Sequence, residues 1–123
     1  MKLMEAIARI DELKHNTYSG EDKIRWISKL DGMVKELVLD THASAVPVVF
    51  AGYDENTPGE TVLLIPEPYD ELYLWWLSAQ IDYYNGEFTR YNNSIALFNT
   101  GLSVYKELYH RKHAPFSTRT AFY

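Results

Sequence analysis

Apolar positions recur at helical spacing from the start of the chain. Met4, Ile7, Ala8, Ile10 and Leu13 form a rough stripe that predicts a helix over Lys2–Lys14. Asn16–Gly20 interrupts it. Ser19 followed by Asp22 resembles a capping box with Asp in place of Glu, and Glu21 and Asp22 suit the positive start of a second helix. That helix runs to about Leu39 on Ile24, Ile27, Leu30, Val34, Leu37 and Val38, with Trp26 to one side. Gly32 in its middle costs about 1 kcal/mol against alanine and points to a close helix contact.

Helical periodicity vanishes between Asp40 and Ile65. Residues 45–50 and 61–65 are β-branched, strand-like runs around a turn-rich acidic loop, which predicts a β-hairpin insertion at about 45–65. Pro47 would confine the first strand to an edge. Pro66-Glu67-Pro68 opens a third helix, with Pro68 at its first position. Leu72, Trp75, Trp76, Ala79 and Tyr83 share one face, with Tyr73, Leu77, Gln80 and Tyr84 beside it. Asn85-Gly86 ends that helix, because both residues tolerate the left-handed conformation of a C-cap.

The turn is short enough to predict an antiparallel pair with a fourth helix, Glu87–Arg111. Phe88, Tyr91, Ile95, Phe98, Leu102, Tyr105 and Tyr109 follow each other at spacings of three and four, an unbroken heptad seam. It is too aromatic for a dimeric zipper, so the helix is expected to pack on the third helix and on others. From Ala114 the chain has no helical period. The expected fold is mainly α: a small bundle of about four helices with a long C-terminal helix, an inserted β-hairpin, and an extended tail. Residues 1–113 read as one domain and 114–123 as an arm.

Composition narrows the class. There are 123 residues and no cysteine, which excludes disulfides and thiolate metal sites and fits a reducing compartment. The charged, amphipathic N-terminus does not read as a signal peptide, and no run approaches the ~18 apolar residues of a membrane span, so a soluble protein without a membrane partner is expected. A net charge of −5 argues against broad phosphate binding. Its distribution is uneven: ten acids and no Lys or Arg between Glu36 and Glu87, then five Lys/Arg and one acid from Phe88 onward. Either the faces are unevenly solvated, or one subunit's basic end meets a neighbour's acidic middle in a head-to-tail ring.

Catalytic chemistry is not apparent. Asp40-Thr41-His42 lacks a third group and reads as a polar loop. His110 and His113 have a spacing that can hold a metal, but they suit the negative end of a helix better. The glycines form no phosphate loop, no serine sits in a nucleophile elbow, and Asp54, Glu55 and Glu60 lack calcium-loop spacing. No cofactor or metal is expected. Seven of the ten tyrosines lie between Tyr69 and Tyr109. Trp75, Trp76, Phe88, Tyr91 and Phe98 read as core. Tyr73, Tyr84 and Tyr109 lie off or at the end of the stripe and, with Arg111 and Lys112, are expected at a subunit interface.

The run Leu64–Tyr73, then Ala79–Tyr83, Gly86-Glu87-Phe88, Tyr91-Asn92-Asn93 and Tyr109-His110 through Pro115 resembles the head-to-tail connector, or adaptor, proteins of tailed bacteriophages. The similarity is strongest over about residues 60–115. The resemblance implies a non-enzymatic virion protein forming a ring, generally of twelve subunits, below the portal protein. Such a ring continues the channel for double-stranded DNA and docks the tail or its stopper protein. It would be assembled in the bacterial host cytoplasm and reside at the head–tail interface. In that setting the arm would reach the portal through Pro115, Phe116, Arg119, Phe122 and Tyr123. The acidic loop at Asp54, Glu55 and Glu60 would face the channel or a neighbour's basic end. The alternative is a small helical interaction module or regulator without catalytic activity.

Overall fold

The computed structural model describes residues 1–39 and 50–112, and the fold is mainly helical. Among the described residues four helices follow in order: α1 Leu3–Leu13, α2 Gly20–Leu37, α3 Leu72–Tyr84 and α4 Phe88–Lys112, with a 3-10 turn at Tyr69–Glu71 just before α3.

α1 buries Leu3, Ala6, Ile7 and Ile10, one face at i, i+3, i+4, i+7. Ile7 and Ile10 of the expected stripe are buried, but Met4, Ala8 and Leu13 point to solvent, and Leu3 and Ala6 complete the inner face. The cause is non-local. The chain start lies antiparallel to residues 59–63, with Leu3 N–H donating to the Thr61 carbonyl (2.9 Å) and Leu63 N–H to that of Met1 (2.9 Å). This places Leu3, rather than Met4, inside. The expected hairpin is not shown: among the described residues the run Thr61–Ile65 makes a single antiparallel bridge, Val62 with Lys2. The other half of the hairpin, residues 45–49, lies outside the described residues.

α2 starts where its cap is written. Ser19 Oγ accepts from the Asp22 N–H at 3.1 Å. Its buried face carries Trp26, Ile27, Leu30 and Val34, and also Asp31. Gly32 meets no other helix among the described residues: a Cβ there would touch the Phe50 ring at 3.8 Å, an ordinary contact. Gly32→Ala is therefore expected to stabilise the protein by about 0.5–1 kcal/mol through helix propensity, measurable by chemical denaturation.

The third helix begins later than Pro68 suggests. Pro68 precedes the 3-10 turn, and α3 proper begins at Leu72. Buried residues point from it in every direction: Leu72, Tyr73, Leu74, Trp76, Leu77, Ala79, Ile81 and Asp82. A helix buried all round is a central helix, and α3 packs against α1, α2 and α4. Its C-terminus is a Schellman motif. Glu87 N–H donates to the Asp82 carbonyl (2.9 Å), Gly86 N–H donates to that of Tyr83 (3.1 Å), and Gly86 has φ 75°. This turns the chain back so that α4 lies along α3.

The expected seam of α4 does face α3. Phe98 and Tyr105 are buried on it, and Ile95, Leu102 and Tyr109 pack partly against the core. Close approach depends on Gly101, where a Cβ would stand 2.7 Å from Leu72 Cδ2. Phe88, at the head of the expected seam, is instead exposed.

Candidate interaction surface

The α3–α4 corner gathers aromatic side chains at the surface. Tyr83 and Tyr84 end α3 and Phe88 begins α4, and the three are 50%, 58% and 58% exposed. Tyr83 stands 5.2 Å from Tyr84, 6.1 Å from Phe88 and 5.6 Å from Tyr91, ring centre to ring centre. Tyr84 stacks flat on Trp26 at 5.6 Å with 9° between the planes, and Tyr18 meets Trp26 edge-on at 5.5 Å. The Tyr18 hydroxyl donates to Asn85 Oδ1 at 2.7 Å, fixing the α1–α2 connection to the corner. The patch is thus an apolar cluster of interlocked rings with polar tips, which is the chemistry of an interface anchor.

The far end of α4 is different. His110, Arg111 and Lys112 occupy its last turn. Arg111 and Lys112 are exposed, with Arg111 paired to Glu107 one turn back. A helix of 25 residues separates these two ends by ~37 Å. One end is aromatic and the other cationic, an arrangement suited to cation–π contact between copies.

The expected interface residues divide. Tyr84, Arg111 and Lys112 are exposed, and Tyr109 is half-buried with its ring 6.1 Å from Tyr105. Tyr73 is a correction: it is fully buried and belongs to the core. Its hydroxyl donates to Asp31 Oδ1 (2.6 Å) and accepts from the Ile65 N–H (2.8 Å). Trp75 and Phe88, expected in the core, are exposed, whereas Trp76 and Phe98 are buried as expected. Asp54, Glu55 and Glu60 are exposed. Asp54 is engaged in its own turn, accepting from the Asn56 N–H at 2.8 Å. Glu60 pairs with Lys2 at 2.6 Å and raises the Lys2 pKa. The arm residues Pro115, Phe116, Arg119, Phe122 and Tyr123 lie outside the described residues, as do Asp40, His42 and His113.

Buried polar groups were missed by pattern reading. Asp31 accepts from the hydroxyls of Tyr73 and Tyr53 (2.7 Å) and from the Leu64 N–H (3.1 Å). Burial pushes the Asp31 carboxyl above its ordinary value, although all three donors pull the other way. Both tyrosines are pushed up as well, chiefly by burial and then by the carboxylate beside them. Tyr105 is pushed up to about 12 by burial. A second cluster joins three helices. Lys14 Nζ meets Asp82 Oδ1 at 2.6 Å, and Ser94 donates to Asp82 Oδ2 at 3.3 Å. Lys23 is buried against Asp11 (2.6 Å) and the Tyr18 carbonyl (2.8 Å). These groups have the satisfied geometry of structural pins. The one sequence signal for Asp31 was an acid set within the Ile27–Leu30–Val34 face.

Among the described residues, no group of three or more His, Asp or Glu stands together to hold a metal ion, and no helix is long and apolar enough to cross a membrane. No family model, curated protein or solved structure matches the chain.

Proposed function

We propose that the chain is a structural connector subunit of a tailed-phage virion, assembling as a ring below the portal that continues the DNA channel and docks the tail. The observation that carries this reading is the exposed aromatic corner Tyr83–Tyr84–Phe88 at one end of the α3–α4 pair, opposite a cationic end at Arg111 and Lys112. Two unlike patches on one chain make a heterologous contact, which closes into a ring when the rotation between copies allows. The aromatic corner of one copy receives the basic end of the next. The acidic loop would lie toward the channel or a neighbour, and residues 114–123 would reach the portal.

Native mass spectrometry and negative-stain microscopy of the chain, alone and with the portal protein from the same genome, test the proposal. Rings, free or seated on the portal, are expected. A chain that stays monomeric and ignores the portal overturns it. Capture of an unrelated partner by a single copy would favour the interaction-module alternative. Phe88→Arg is expected to weaken assembly about thirtyfold, as loss of an interface anchor does, while melting within a few degrees of the parent. Unchanged assembly would remove the corner from the interface.

A further inference from the structure

A second apolar feature runs along the other side of the α3–α4 pair. Three depressions adjoin there. The first, of ≈ 230 Å³, lies between the Pro66–Tyr69 turn and the last turns of α4, and Lys112 stands at its edge with Leu108 and Tyr109. The second, of ≈ 220 Å³, shares Pro68 and Tyr69 with the first and continues past Gly101 and Val104 to Trp75. The third, of ≈ 260 Å³, shares Glu71 and Trp75 with the second and opens onto Ile10, Leu13 and Leu74. Gly101 helps keep the middle open, since a side chain there would run into Leu72. Trp75, 38% exposed, stands between the second and third. The walls are apolar, and Glu67 and Glu71 supply acidic groups along the furrow.

We propose that this furrow is the docking site for residues 114–123 of the same chain. Three observations select that occupant. α4 delivers the chain to the mouth, because Lys112 lines the first depression and is the last described residue of the helix. The chain continues for eleven residues, His113 to Tyr123. Extended, they reach ~36 Å, whereas Gly101 lies only ~17 Å back along the helix axis. Their chemistry complements the furrow: Phe116, Phe122 and Tyr123 for apolar depressions, Arg119 for Glu67, since Glu71 already pairs with Arg9 at 3.1 Å, and no acid. Tethering at the mouth gives an effective concentration on the order of millimolar, so the chain's own arm outcompetes a second copy at ordinary concentrations. The inference concerns the free chain and stands apart from the connector reading.

A synthetic peptide of residues 114–123, titrated by fluorescence anisotropy, tests it. The peptide should bind a variant lacking residues 114–123 saturably, and bind the intact chain at least tenfold more weakly, because the furrow there is filled. Trp75→Ala or Val104→Arg in the shortened chain, and Arg119→Glu in the peptide, should each weaken binding about tenfold. No binding to a folded shortened chain, equal binding to the intact chain, or indifference to both furrow substitutions overturns the proposal. Should the shortened chain fail to fold, the intact chain still decides. It has no cysteine, so Val104→Cys with Phe116→Cys can be joined by a short bismaleimide. An intramolecular link whose yield survives dilution supports docking in the same chain. Links between copies only, or none, refute it.

Discussion

Asp31→Ala should lower stability by about 3 kcal/mol, a melting-temperature drop of roughly 12 °C for a chain of this size. The carboxylate is fully buried and accepts from Tyr73, Tyr53 and the Leu64 N–H. Removing it strands the buried Tyr73 Oη–H, at about 1–3 kcal/mol, and leaves the half-buried Leu64 N–H and Tyr53 hydroxyl without their acceptor, at a smaller cost because both can turn toward water. Asp31→Asn keeps an acceptor and should lose less. A thermal melt in which alanine costs under 3 °C would show that the network is not what joins α2 to α3.

The same group carries a pH signature. Its folded-state pKa is raised by burial. Between the unfolded value and that raised value, the folded protein therefore binds more protons than the unfolded chain. Stability from this group is fully present below the unfolded pKa, near 3.8, and is lost as pH rises through the raised one. The parent minus Asp31→Asn difference in unfolding free energy should thus shrink from pH ~4 upward. A difference that grows with pH would mean the carboxyl is depressed instead.

Trp76→Ala should cost about 3–5 kcal/mol, as loss of a buried aromatic does. Its ring lies 5.0 Å from Phe98, and its indole N–H donates to the Trp26 carbonyl at 2.8 Å, so the residue joins α4, α3 and α2. Trp75→Ala, one position earlier, should cost only about 1 kcal/mol, because much of that ring already faces water. Denaturation of the two variants side by side checks this. Equal losses would mean the two indoles are equally part of the core.

That neighbouring pair marks how far pattern reading reached. Apolar spacing places both tryptophans on the inward face, yet successive helical residues are turned by about 100°. With partners on nearly every side of α3, apolar periodicity no longer identifies an outward face. The same holds for Tyr73: its place beside the main stripe points to an interface, but α2 covers that flank through Asp31. Tyr84, beside the stripe, is exposed at the corner, and Phe88 is exposed although its heptad register continues unbroken, because α3 ends before reaching it.

Local chemistry was sufficient for the start of α2 and for the turn between α3 and α4, though not for the start of α3, where Pro68 precedes a 3-10 turn. Ser19 caps α2 because its own hydroxyl reaches the backbone three residues on. Asn85-Gly86 turns the chain because Gly86 carries no Cβ to oppose a positive φ. The long α4 follows from an apolar repeat written along it. Each of these depends on groups a few residues apart, which a sequence displays directly. The pairing of residues 59–63 with the chain start, the Tyr73–Asp31 bond across 42 positions and the Lys14–Asp82 pair across 68 do not. Their partners are chosen by how four helices fill one core, so tertiary packing alone decided which apolar face turned inward, which acid was buried, and which aromatics were left at the surface.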